Sequence, residues 1–206
     1  MRTDYVNGEY VPENEAKISV FDRGFLMADA IYEVAAVLDG KLTDFPAHIK
    51  RLHRSAGELG MRVDVSDDEL LEIHRELIRL NGVDQGMVYL QMTRGAADRD
   101  FVFDTDALTP SLVLFTQKKE LIDTGVAKNG MKIITVEDKR WGRCDIKTTQ
   151  LLYPSLAKME AMKAGADDAW LVRDGEITEG SSNNAYIVTK DGTIVTRPLS
   201  NSILPG

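Results

Sequence analysis

Two side chains in this 206-residue sequence have the types and settings for amine and carboxylate chemistry. Lys147 stands in Arg140-Trp141-Gly142-Arg143-Cys144-Asp145-Ile146-Lys147-Thr148-Thr149. Glu179 follows thirty-two residues later, in Thr178-Glu179-Gly180-Ser181-Ser182-Asn183-Asn184. Both stretches are polar and flanked by turn formers. A desolvated lysine loses its proton and becomes a carbonyl nucleophile. A carboxylate can hold a proton on a ring nitrogen. The pair suggests a pyridoxal phosphate site, in which Lys147 forms the Schiff base and Glu179 keeps the pyridine protonated as an electron sink. Taken singly, each residue has a plainer reading, a surface lysine and a solvated turn.

Other candidates surround this pair. Arg51, in His48-Ile49-Lys50-Arg51-Leu52, can grip a phosphate with two hydrogen bonds, or simply face solvent. Arg99 lies between Asp98 and Asp100 and can clamp a substrate carboxylate; its plain alternative is a surface ion pair. Tyr32 can put a phenol beside a substrate, or pack half-buried in a strand. His48, His53 and His74 match no metal spacing and are not read as ligands. Nucleotide-binding loops, a Ser-His-Asp order and a nucleophile elbow are all missing from the sequence.

The elements that must position these groups alternate between hairpins and helices. Asn7-Gly8 and Asp39-Gly40 each sit between β-prone runs, a strong hairpin signal. Residues 46–61 carry Ile49, Leu52, Ala56 and Leu59 on one helical face. Ser66-Asp67-Asp68-Glu69 is a capping box. It opens a second helix striped by Leu70, Ile73, Leu77 and Leu80, which Asn81-Gly82 closes. Strands are predicted at 87–93 and 111–116, and the polar loop between them, 94–110, is long enough to suggest function. A linker over 119–130 separates a small domain, 1–118, from a second one beginning at 131. There a strand at 131–136 precedes a helix at 151–164, with Leu152, Leu156, Met159 and Met162 roughly on one side and Pro154 in its first turn. Short strands at 169–173, 185–188 and 193–196 follow.

Composition narrows the class. Hydrophobic residues make up 43% and charged residues 28%, as in an ordinary globular protein. The single cysteine, Cys144, excludes an internal disulfide. A net charge of -8 disfavours non-specific nucleic-acid binding. No apolar run approaches the ~20 residues of a membrane span, and the N-terminus lacks a signal-peptide core. The expectation is a cytoplasmic protein without nucleic-acid or membrane partners.

Together the motifs resemble the class IV aminotransferases, the pyridoxal-phosphate family of D-amino-acid and branched-chain aminotransferases and aminodeoxychorismate lyase. The resemblance covers residues 5–206. Its marks are Asp22-Arg23-Gly24-Phe25, Asp29-Ala30-Ile31-Tyr32-Glu33-Val34, the Arg51 and Lys147 segments, Thr178-Glu179-Gly180-Ser181-Ser182-Asn183 and Asn201-Ser202-Ile203-Leu204-Pro205-Gly206. The D-amino-acid enzymes are the nearest members. The resemblance implies that Lys147 carries the cofactor, Glu179 contacts its pyridine nitrogen, Arg51 binds its phosphate and Leu204 packs on a ring face. Tyr32 and Arg99 would hold the substrate carboxylate. It also implies an α/β (α+β) fold of two domains, the second over 131–206 built as a barrel-like mixed sheet, and a homodimer exchanging amino groups between an amino acid, such as D-alanine, and a 2-oxo acid.

The sequence departs from the family pattern in three places. Phe101 stands where the D-enzymes have a histidine, and a phenyl ring offers no second hydrogen bond to a carboxylate. Ala36 stands where they can carry a longer basic side chain. The family continues beyond Gly206 with a helix whose N-terminus cups the phosphate, and then roughly 80 further residues complete a second domain of usual size. The second domain is therefore expected to be incomplete. Rival readings are an L-branched-chain or (R)-amine transaminase, an aminodeoxychorismate lyase, and an inactive cofactor-binding fragment.

Overall fold

The computed structural model describes residues 1–206. The chain divides into two compact units. Met1–Asp123 and Lys147–Thr149 form the first, and Thr124–Ile146 and Gln150–Gly206 the second. No helix is long and apolar enough to cross a membrane.

The first unit is a six-stranded sheet with helices packed against it. Its elements in chain order are β1 (Thr3–Val6), β2 (Glu9–Pro12), α1 (Arg23–Met27), β3 (Ala30–Leu38), β4 (Lys41–Leu42), α2 (Phe45–Glu58), α3 (Asp67–Asn81), β5 (Gly86–Thr93) and β6 (Ser111–Lys118). The strand order is β2-β1-β6-β5-β3-β4, and every pair in it is antiparallel. Asn7 (φ 48°) and Gly8 (φ 102°) make the first hairpin turn, as the Asn-Gly pair predicts. The Ser66 hydroxyl accepts from the Glu69 N–H at 3.2 Å, so the capping box opens α3 as expected. Strand alternation divides β3 between two faces. Ile31, Glu33, Ala35 and Val37 are buried, while Tyr32, Val34 and Ala36 are half-buried. Ile49, Leu52 and Ala56 of α2, with Leu70, Ile73 and Leu77 of α3, are buried with them. The short helix α1 is not among the elements expected from the sequence. The Asp22 carboxylate accepts from the Gly24 N–H at 2.8 Å and from the Thr93 hydroxyl at 2.8 Å.

The second unit contains α4 (Gly125–Asn129), β7 (Ile133–Glu137), α5 (Leu152–Lys163), β8 (Asp168–Arg173), β9 (Glu176–Gly180), β10 (Tyr186–Val188) and β11 (Ile194–Thr196). Strands β7 and β8 are parallel and joined through α5, β9 pairs antiparallel to β8, and β10–β11 form a separate hairpin. The second unit thus holds a three-stranded mixed sheet and a separate hairpin, in keeping with the α/β class expected. The stretch read as a linker contains a helical turn, α4, capped by Thr124. Helix α5 also packs differently from its apolar pattern. Ala157 and Ala161 meet Ala166, Ala169 and Leu171, while Leu152, Leu156, Met159 and Met162 are exposed. Alanines allow a helix to approach a sheet closely, so shape rather than side-chain bulk selects the buried face.

Candidate active site

The first unit brings three of the candidate side chains, Lys147, Tyr32 and Arg51, together along β3. Residues 147–149 run antiparallel to the start of that strand, on the edge that β4 leaves uncovered. Thr148 bridges Ile31. Tyr32 N–H donates to the Lys147 carbonyl at 3.0 Å, and Thr149 N–H donates to the Ala30 carbonyl at 3.1 Å. Lys147 N–H donates to the Ser55 hydroxyl of α2 at 3.3 Å. Backbone on both sides of Lys147 is therefore fixed by the sheet edge. Its Nζ lies 4.2 Å from the Tyr32 ring centroid, within cation–π range. Tyr32 is in turn stacked on Tyr89, and Tyr89 on Phe115, across β3, β5 and β6. Burial and the neighbouring Tyr32 push the Tyr89 phenol up to about 12.

Beneath β3, Glu33 gathers the basic face of α2. Arg51 Nε donates to its Oε1 at 2.8 Å and Arg51 Nη2 to its Oε2 at 2.7 Å, while His48 Nδ1 lies 2.8 Å from Oε2. Burial pushes the Glu33 carboxyl up, but hydrogen bonds from Arg51 and His48 and the charges of Arg51 and Lys147 more than reverse this. It lies below the ordinary carboxylate range. The same pairing raises Arg51. Arg51 therefore faces a carboxylate rather than solvent. Glu33 was not singled out from the sequence, although a glutamate at an inward position of an apolar strand is a signal of its own.

In the second unit the structure brings Glu179 and Leu204 together. Leu204 N–H lies 3.3 Å from both carboxylate oxygens of Glu179. Asn184 spans them, donating to Glu179 Oε2 at 3.2 Å and to the Leu204 carbonyl at 3.0 Å. Arg140 donates to Glu179 Oε1, to both oxygens of Asp138 and to the Ser202 carbonyl. Burial raises the Glu179 carboxyl above its ordinary value, and Arg140 only partly opposes that. Asp138 is the contrary case. Burial acts upward, but Arg140 and Thr178 outweigh it and bring the carboxyl down to about 2. Gly180 lies so close to Asn183 that a Cβ would overlap its side-chain amide. Arg140, Asp138 and Asn184 had no assigned place in the sequence reading. Asn184 shares a polar motif with Glu179 and Arg140 opens the Lys147 segment, whereas Asp138 lies in neither.

Arg99 takes part in none of these contacts. It is exposed in the 94–110 loop, with its guanidinium 5.8 Å from the Phe101 ring, and Phe101 is 79% exposed.

The family model for amino-transferase class IV matches residues 30–206. The chain belongs to the class IV aminotransferases. Members of this family work with pyridoxal phosphate, and this chain is an aminotransferase of that kind. It is 43% identical over all 206 residues to a D-alanine aminotransferase of Staphylococcus aureus (strain MSSA476), covering 72% of that protein. It is 39% identical over 203 residues to a D-alanine aminotransferase of Bacillus licheniformis, covering 97% of this chain and 70% of the relative. Among solved structures, the branched-chain amino acid aminotransferase of Escherichia coli shares the fold, with a TM-score of 0.84 at 23% identity, over 100% of this chain and 70% of that one. The branched-chain aminotransferase of the archaeon Thermoproteus uzoniensis, solved with norvaline, shares it too, with a TM-score of 0.82 at 24% identity, over 100% of this chain and 71% of that one.

Proposed function

We propose that this class IV aminotransferase exchanges the amino group between a D-amino acid, D-alanine foremost, and a 2-oxo acid, with Lys147 and Glu179 as its principal groups. The observation that carries the roles is the fixed placement of Lys147 against Tyr32, beside Arg51 and Glu33. The D-alanine aminotransferase relatives, 39–43% identical over 97–100% of the chain, support the substrate.

The donor set suits pyridoxal phosphate. Lys147 offers an amine for the carbonyl carbon, Arg51 a guanidinium for the phosphate, and Glu179 a buried carboxylate for a protonated ring nitrogen. Leu204, fastened to Glu179 by its own N–H, would lie against the ring. Bound pyridoxal phosphate supplies an electron sink for the charge left when the substrate α-carbon loses its proton. Lys147 Nζ, once neutral, takes that proton as general base. Glu33 holds Arg51 in place for the phosphate through its two-point ion pair. Tyr32 and Arg99 meet the substrate carboxylate. Work as a cytoplasmic homodimer belongs to the same reading and rests on the resemblance.

The visible spectrum of the cofactor-loaded protein tests this. D-alanine should shift the bound cofactor's absorbance while L-alanine leaves it in place. A shift with L-alanine alone would move the reading to an L-amino-acid enzyme. A second reading, an (R)-amine transaminase, is favoured by one observation, the exposed phenyl ring of Phe101 next to Arg99. A shift with an (R)-amine and with neither alanine would select it.

A further inference from the structure

Arg99 makes no anchoring contact that would explain how an exposed loop could present it reproducibly, yet the chain on either side of it is fastened. On the N-terminal side, Asp22 bridges Ala96, Arg23 N–H donates to the Gly95 carbonyl at 2.8 Å, and Ala97 N–H donates to the Phe21 carbonyl at 3.2 Å. On the C-terminal side, Arg23 Nη1 donates to the Asp100 carbonyl at 2.9 Å. Three residues further, the Phe103 ring lies 4.1 Å from the Arg23 guanidinium carbon and 4.6 Å from that of Arg94.

These two arginines are 4% and 6% exposed and share one carboxylate, Asp29. Arg23 Nε donates to Asp29 at 2.8 Å, and Arg94 Nε to both its oxygens at 2.9 and 3.1 Å. Arg94 also donates to the carbonyls of Leu59 and Gly60, at 2.8 and 3.1 Å. Two cations against one anion leave a positive charge that the carbonyls and one aromatic face must satisfy. An aromatic ring does so through the negative face of its quadrupole. Phe103 is 37% exposed. Hydrophobic burial alone does not account for where it sits, whereas its place over two guanidiniums does.

We propose that Phe103 is a positioning residue whose ring, clamped on the Arg23–Asp29–Arg94 cluster, holds the 97–103 arch so that Arg99 is presented in one geometry to the substrate carboxylate. This rests on the carboxylate role given to Arg99 above. The clamp contributes preorganisation. Without it, each binding event must first order the arch, which weakens binding without touching the proton-transfer step.

The test compares Phe103→Leu, Phe103→Tyr and Arg99→Ala in the cofactor-loaded protein. Phe103→Leu should raise KM for D-alanine about tenfold at nearly unchanged kcat, and speed amide hydrogen exchange across residues 96–103. Phe103→Tyr keeps the π face and should restore both. Arg99→Ala should raise KM without speeding exchange at the arch. Unchanged exchange in Phe103→Leu would overturn the clamp whatever the kinetics. Faster exchange at unchanged KM would overturn its positioning role while leaving the Arg99 reading intact, provided Arg99→Ala still raises KM. An Arg99→Ala variant with unaltered KM would remove the Arg99 reading and the role of Phe103 with it.

Discussion

At the scale of single residues, the proposed chemistry divides between one amine and one carboxylate, and each can be removed separately. Lys147→Ala should abolish any cofactor fixed to the chain by borohydride, checked by mass spectrometry of the reduced protein. A retained adduct would mean that another amine carries the cofactor. Glu179→Gln keeps the shape and the Asn184 and Leu204 contacts but removes the charge that would hold a ring proton. Cofactor should still bind, while single-turnover reaction with D-alanine slows by roughly two to three orders of magnitude, the scale of losing one electrostatic partner to developing charge. Normal turnover would discard the role. These residues were legible in sequence because their motifs are dense in polar and small residues. Glu33 and Arg140 were not, because their importance lies in partners distant along the chain. Arg51 reaches Glu33 across eighteen residues, and Arg140 reaches Glu179 across thirty-nine.

At the scale of elements, hairpins and capped helices were readable because their signals are local. The Asn7-Gly8 turn and the Ser66 cap need only a few consecutive residues. Helix α5 was readable in extent but not in facing, since its buried alanines are apolar without being bulky. The edge pairing of the Lys147 segment was invisible, because its bridge to β3 joins segments more than a hundred residues apart. The 94–110 loop shows how one residue can govern an element. Gly95 has φ 107°, and a Cβ there would overlap the Thr109 carbonyl oxygen. The two ends of the loop are thus pinched together at the one residue type that permits it. Gly95→Ala should cost roughly 2–4 kcal/mol through backbone strain and displacement of Thr109, read as a lowered urea midpoint. If the midpoint does not move, the pinch is not a constraint on the fold.

For the molecule as a whole, the balance of buried carboxylates sets how stability answers to acid. Asp138 is fully buried, paired with Arg140 at 2.9 Å and Arg173 at 3.2 Å, and lowered from 3.8 to about 2. Its ionised form is favoured by folding, so its contribution is complete above about pH 4 and is lost as the pH falls through about 2. Glu33 and Asp168 are lowered and act in the same sense. Glu179 and Asp4 are raised, chiefly by burial, so protonating them favours the folded form and part of the acid loss is offset. Asp138 alone should account for roughly 2 kcal/mol of the fall in stability between neutral pH and pH 2. Both tryptophans, Trp141 and Trp170, lie in the same unit as Asp138, so their fluorescence during urea unfolding reports the part of the chain that matters. Asp138→Asn should lower the midpoint at pH 7, since it leaves two guanidiniums short of a partner. It should also flatten the acid limb, because the group whose titration drives it is gone. A variant that is less stable at pH 7 yet keeps the full acid limb would place that titration elsewhere, and the Arg140 cluster would then be a packing feature rather than the charge balance that holds Glu179.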